Sequence, residues 1–563
     1  MKVFAIAGIA TAVIVAIGLT VAIVLLGPVE QESLEKEISF TILHINDFHA
    51  RFEPISASGS TCQAGNNEQG LCFGGIARVY SAITEQRQLR VNPVVLNAGD
   101  NYQGTLMYSL FKWNITLEFM QRLNFDATAF GNHEFDDKVA GIVPFVDGLK
   151  SPMVAANMDA SLEPTLDGKF VPSVTIYRDK TKIGIIGCIS KETPALSSPE
   201  NLIFNDEIES VSAEVKKLKA DGVKIIILLS HSGYDVDLII AEQIPELDVI
   251  VGGHSHTFLY SGTPPTTDEP VDEYPKVVTH RNGGKTLIVQ AMAFGKYLGI
   301  LELKFDKAGE VESWSGNPIL LDSSVPEDES TTELLSPYRE EADVIGGQTL
   351  GTSAVLLDSS TCYSKECNLG NFLTDAIVHE YTELINDDAW TTVAIAIMNP
   401  GGIRAPMGES ANVTFNDLIT AQPFQNTIDT VELQGKDIVE LMELAASPPL
   451  NKIRAKDFAD GAGCFQVSGI RAKYDMSQAE GSRLVDIALK CSKCVTPEFL
   501  PVNSEEWYTV AMPSFLASGN SFPLITERGR NRTIGRLDTD VYVDYIKTKN
   551  PIMTGIEHRI TVL

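Results

Sequence analysis

Short apolar runs recur through the first half of this 563-residue chain, and five of them end in a turn carrying Asp, Asn or His. The turns are Asn46-Asp47-Phe48-His49, Ala98-Gly99-Asp100-Asn101, Gly131-Asn132-His133-Glu134, Ser230-His231-Ser232 and Gly252-Gly253-His254-Ser255-His256. The runs Phe40–Ile45, Val94–Leu96, Ala127–Phe130, Ile183–Gly187, Ile225–Leu229 and Val249–Val251 read as buried strands. Ile76, Val79, Tyr80 and Ile83 form a helical stripe between two of them. This βα alternation predicts a mixed or largely parallel sheet flanked by helices. Ligands collect beyond the carboxyl ends of strands in such sheets. Five loops at one sheet edge are therefore expected to bring these side chains together.

Their chemistry is consistent. Carboxylate and amide oxygens mixed with imidazole nitrogens suit zinc, manganese, iron or cobalt better than calcium. Asp47, His49, Asp100, Asn132, His231 and His254 suffice for two ions if Asp100 bridges them. Two ions about 3.5–4 Å apart can acidify a shared water and polarise a phosphoryl oxygen. His133 sits beside a ligand but is expected to point elsewhere, as a proton donor or phosphoryl stabiliser oriented by Asp136. One Asp-x-His after a strand means little, because most such residues are structural. Five motifs in order, all at strand ends, are specific.

The rest of the chain sets the context. Its length exceeds one hydrophobic core, so two domains are expected. The net charge of -30 argues against nucleic-acid or anionic-membrane binding through a basic surface. It leaves a small anionic substrate open, because bound metals reverse the local sign. Residues 1–27 form an apolar segment that reads as a signal peptide or a signal anchor, which directs the chain to a secreted, extracellular location. A membrane is a partner only if that segment is retained. The C-terminus lacks a hydrophobic tail, so no lipid-anchor signal is read there. Three close cysteine pairs, Cys62–Cys72, Cys362–Cys367 and Cys491–Cys494, are expected to be disulfides. Cys188 reads as a buried thiol, and Cys464 has no evident partner. Asn114, Asn412 and Asn531 are glycosylation candidates.

The composition turns acidic near Pro326, and a helical segment follows. A second βα region begins near Gly347, with a strand over Val393–Met398, a loop over Asn399–Arg404 and a helix over Lys436–Ala446. The segment Thr263–Pro270 reads as a polar surface excursion.

The ligand motifs resemble those of calcineurin-type metallophosphoesterases. The surrounding text is closer to the 5'-nucleotidase/apyrase family, through Thr41–Asp47, Gly131–Asp136, Ser190–Thr193, Gly252–Leu259 and Ala293–Leu298. The resemblance runs from about residue 40 to the end. It implies an α/β protein with a four-layer α/β/β/α metallophosphoesterase domain over 40–328. A linker helix over 329–346 joins it to an α/β nucleotide-binding domain over 347–563. It implies two divalent metals, zinc by resemblance, with manganese, cobalt, calcium or magnesium left open. It makes His133 and Asp136 the catalytic pair. It implies substrate contacts at Asn399 and Arg404, with Phe424 and Phe515 sandwiching the base of ATP, ADP or AMP. A guanidinium can grip a phosphate with paired donors, and two rings can hold a purine.

The chain departs from the family pattern at three places. Tyr363 stands where many members have Arg. Asn520 stands where an Asp that bonds the ribose is common. Pro400 interrupts a glycine turn. The reading is an apyrase-like hydrolase acting on ATP and ADP. The alternatives are a strict 5'-nucleotidase acting on AMP and an inactive nucleotide-binding homologue.

Overall fold

The first strand, Ile38–Ile45, shows how the N-terminal half is layered. Phe40 and Ile42 point into one apolar core and Leu43 and Ile45 into another, as the two-residue period of a strand requires. The strand is central to a seven-stranded sheet. Its order is Val311–Ser315, Tyr297–Phe305, Ile38–Ile45, Pro93–Asn97, Ala127–Ala129 and Met153–Val154, with Ile319–Leu320 paired to Tyr297–Phe305. The last four strands of that order run parallel, and Tyr297–Phe305 returns antiparallel.

The second sheet runs Lys276–Thr279, Lys285–Val289, Val249–Val251, Ile225–His231, Thr181–Ile189 and Ser173–Arg178. Its inner four strands are parallel and its edges antiparallel. One core packs Phe40, Ile42, Val94 and Leu96 of the first sheet against Ile183, Ile185 and Ile225–Leu229 of the second. Helices Glu207–Ala220 and Tyr234–Gln243 cover the second sheet. Helices Ile76–Leu89, Leu106–Leu123 and Lys138–Gly148 cover the first. The layers are α/β/β/α. This corrects the expectation of five loops along one sheet edge. Three of the turns leave the first sheet and two leave the second. Stacking brings both sets of carboxyl ends to the same place.

The structure is a computed structural model describing residues 38–57, 59, 62, 65–386, 389–446, 465–519 and 522–563. The apolar segment 1–27, Cys464 and Asn520 lie outside these residues. Among the described residues no helix is long and apolar enough to cross a membrane.

Helix Glu329–Gly346 joins the halves. Asp328 caps it by accepting from the Thr331 amide at 2.8 Å. Leu335 and Ala342 bury against the first domain, and Arg339 makes two bonds to the Glu53 carboxylate, of 2.7 and 2.9 Å. Beyond it, a five-stranded sheet runs Gln466–Ser468, Ile395–Met398, Trp507–Pro513, Ile428–Gln434 and Arg530–Thr533. A four-stranded sheet runs Phe499–Pro501, Leu484–Lys490, Ile470–Tyr474 and Ile560–Val562. The helix expected over Lys436–Ala446 is Gly435–Ala445.

Disulfides join Cys62 to Cys72, Cys362 to Cys367 and Cys491 to Cys494, and Cys188 is a buried free thiol. Asn114, Asn412 and Asn531 are all exposed. The Thr263–Pro270 excursion is tied down, because the Lys296 ammonium pairs with Asp268 at 2.6 Å.

Candidate metal centre and substrate cleft

The turns after the first two strands zip together through their backbones. Asp47 donates its amide to the Gly99 carbonyl, His49 to Asp100 and Ala50 to Asn101, at 2.9–3.0 Å. Asp47, His49, Asp100, His254 and His256 all have φ between 50 and 70°. Left-handed backbone is uncommon for such residues, and its clustering marks a functional site. Gly131 makes the closest approach: a Cβ there would lie 2.2 Å from Asp100 Oδ1. Glu134 is fully buried and fixes the same turns. Its carboxylate accepts from the amides of Asp100, Asn101 and Gly131 at 2.6–2.9 Å.

Two adjoining nests of donor atoms result. Asp47, His49 and His256 offer ligand atoms within 4.8 Å of one another, and so do Asp100, His231 and His254; a further group, His49, Asp100 and His133, shares a member with each. Asp100 Oδ2 lies 3.1 Å from His231 Nε2 and 3.7 Å from His49 Nε2, so it faces both nests. His256 Nε2 lies 3.4 Å from Asp47 Oδ1 and 3.0 Å from His49 Nε2. Asn132 Oδ1 lies 2.8 Å from His254 Nδ1.

The second nitrogens of two rings are already engaged. His49 Nδ1 meets the Tyr102 carbonyl at 3.2 Å, and His231 Nδ1 meets the Ala98 carbonyl at 2.6 Å. Those carbonyls accept a hydrogen bond from Nδ1–H, which leaves Nε2 as the ring's ligand nitrogen. His231 Nε2 is buried against the Asp100 carboxylate, and although burial opposes charge on the ring, Asp100 and Asp47 outweigh it and raise it to about 10. Burial holds His49 neutral, well below the usual histidine range, and Arg404 adds to the effect. Burial raises the Asp47 carboxyl to about 7, opposed by His231. Two buried carboxylates and imidazole nitrogens around one space suit divalent cations.

His133 lies to one side. Its Nδ1 is 2.7 Å from Asp136 Oδ2, and Asp136 Oδ1 accepts from the Ser197 hydroxyl at 2.7 Å. Burial opposes charge on His133, but Asp136 and Asp100 outweigh it and raise the ring above the usual range. The ring stacks on Phe424, with centroids 5.6 Å apart and planes 25° apart. Arg404 Nη2 reaches within 3.0 Å of His49 Nε2, and its guanidinium lies 5.7 Å over the Phe424 ring.

A cavity of about 520 Å³ opens between the domains at this point. Asp100, Asn132, His133 and His254 line one side, and Asn399, Arg404, Phe424 and Phe515 line the other. Every expected site residue among those described is thus gathered at one place, except Asp47, His49 and His231, which lie in the nests beneath. Asn520 is outside the described residues. Tyr363 lines the cavity too.

Three residues escaped the sequence reading. His256 completes the first nest, and its signal was the His-x-His spacing with His254. Glu134 stood in a motif without a role. Lys112 lines the cavity from a break in helix Leu106–Leu123, where its φ is 54°, and pairs with Asp137 at 3.1 Å. No periodicity signals such a break.

The calcineurin-like phosphoesterase family profile matches residues 40–258, and that of the 5'-nucleotidase C-terminal domain matches residues 347–527. An apyrase from Tabanus yao is 43% identical over 532 residues, 94% of each chain. A 5'-nucleotidase from Homo sapiens is 39% identical over 530 residues, 92% of this chain and 90% of its own. The crystal structure of a 5'-nucleotidase precursor from Thermus thermophilus superposes with a TM-score of 0.84 at 33% identity, covering 93% of this chain and 99% of that one.

Proposed function

The chain belongs to the 5'-nucleotidase family and is a metal-dependent nucleotide phosphohydrolase, and from that premise we propose that it is apyrase-like, converting ATP and ADP to AMP and phosphate. The observation that carries this reading is Tyr363 in the substrate cleft. A phenol in the same cleft as Arg404 leaves one guanidinium where two would clamp a single phosphate. A phosphate chain can then run past it, with the terminal phosphorus at the reacting position. The apyrase similar to 94% of the chain supports the same reading.

In this reading the catalytic domain is 40–328, the linker helix 329–346 and the substrate-binding domain 347–563. Asp47, His49, His256 and Asp100 would hold one ion, and Asp100, Asn132, His231 and His254 would hold the other. Zinc suits an imidazole-rich set with oxygen donors, and manganese is the next fit. Such ions would acidify a water at neutral pH and draw charge from the phosphoryl oxygens.

The chain's own groups do the rest. Asp136 holds His133 by Nδ1, which leaves the Nε2 proton for the phosphoryl or leaving oxygen. Arg404 and Asn399 bind phosphate and substrate oxygens, and Phe424 and Phe515 hold the base. The N-terminal segment makes the location extracellular.

Phosphate release from ATP, ADP and AMP, measured in parallel on a preparation of known metal content, tests the proposal. Release from ATP and ADP with AMP accumulating is expected. Release from AMP alone overturns it in favour of a strict 5'-nucleotidase.

A further inference from the structure

The C-terminal domain has a second cavity, of about 320 Å³, that shares no lining residue with the catalytic cleft. Its walls come from helices Asn368–Glu380 and Asp538–Thr548 and from strands Ile470–Tyr474 and Leu484–Lys490. Three of the cations that line it are each laid over an aromatic ring. The Arg471 guanidinium is 4.2 Å from the Phe499 centroid, Lys490 is 4.9 Å from Trp390 and Lys549 is 5.7 Å from Tyr545. Among the described residues, none of the three is paired with a carboxylate. Two acids, Asp375 and Glu557, and a fourth cation, Arg559, also line it, so four cations face two carboxylates. Asp375 and Glu557 both pair with the buried Arg559, at 2.7 and 2.8 Å.

We propose that this cavity is an anion site that takes a compact diphosphate group. Four cations against two carboxylates around one hollow leave a local positive excess, in a chain of net charge -30. Like charges gathered around a concave surface focus a positive potential that attracts an anion. The rings hold the cationic heads in place, so less ordering is needed on binding. Those rings are also covered by the cations and leave no free platform for a base. Recognition therefore falls on charge, unlike the cleft between Phe424 and Phe515. The volume is at the small end of ligand pockets, which suits a diphosphate better than a whole nucleotide.

The test is calorimetric titration of methylenediphosphonate into the metal-loaded full chain and into an Arg471→Glu/Lys490→Glu variant. One binding event should be lost in the variant, or weakened roughly tenfold or more, while ADP turnover is kept. Identical isotherms overturn the proposal. If the charge reversals abolish turnover through misfolding, Arg471→Gln and Lys549→Gln are titrated singly. Each should weaken the same event, and no change in either overturns it. A sulfated disaccharide is titrated in parallel. Its binding in place of the diphosphonate would also overturn the assignment.

Discussion

The imidazole of His133 lies against the ring of Phe424, with centroids 5.6 Å apart and planes 25° apart. One residue lies in the segment that matches the calcineurin-like phosphoesterase family and the other in the segment that matches the 5'-nucleotidase C-terminal domain. The group proposed to move a proton and one platform proposed for the base thus meet at the seam between the domains. Chemistry and recognition are built on separate cores and become one site only where these cores face each other.

Replacing Phe424 with alanine should raise KM for purine nucleotides. Stacking of a base on an aromatic ring is worth about 1–3 kcal/mol, which is roughly 5- to 150-fold. Turnover of p-nitrophenyl phosphate, which presents no base, should change much less. Parallel steady-state kinetics on the two substrates checks this. An equal loss on both would mean that Phe424 acts through His133.

Replacing His133 with alanine should cut kcat by about 10²–10⁴-fold with the metals retained. The ring is engaged by Asp136 through Nδ1, while it offers a ligand atom within 4.8 Å of those of His49 and Asp100. Metal content and turnover measured on one preparation separate the roles. Loss of metal would make His133 a ligand.

Replacing His256 with alanine should do the reverse. Its Nε2 is 3.4 Å from Asp47 Oδ1, within the nest that His49 shares. The variant should hold less than its full complement of metal after dialysis and regain activity in excess metal. Full metal retention with lost turnover would contradict the ligand role.

Legibility in the sequence followed the period of each element. Asp47, Asp100, Asn132, His231 and His254 could be read because each follows an apolar run, and a run that apolar is a buried strand with a defined carboxyl end. His256 could not be placed the same way. It sits in a turn, where a two-residue spacing sets no face until the backbone is known, and here φ is 52°. Read from the residues alone the two-sheet stacking was hidden for a similar reason, and the family resemblance supplied it. Strands buried on both faces look alike whichever sheet they join, so the pairing of Ile38–Ile45 with Tyr297–Phe305 is not written in either segment. Phe424 and Phe515 carry no local signal at all. As isolated residues they read as core, and only family resemblance singled them out.

The last prediction concerns pH and a residue far from the metals. Asp248 precedes strand Val249–Val251 at the end opposite His254, and its Oδ2 accepts from the Ile226 amide at 2.8 Å. Burial raises its carboxyl to about 8, with the Ile226 bond opposing. In the unfolded chain it titrates near the ordinary value of about 3.9. Between those values the folded state holds the proton and the unfolded state does not. Stability therefore falls as pH rises through this window, and the contribution is complete only below it. Asp248→Asn keeps an oxygen for the Ile226 amide and cannot ionise. The difference in Tm, variant minus parent, should rise by at least about 2–4 °C between pH 5 and pH 8.5, corresponding to about 1 kcal/mol in a domain of this size. Thermal unfolding of both chains across that range measures it. A difference that stays constant with pH would mean that Asp248 is ionised in the folded protein throughout.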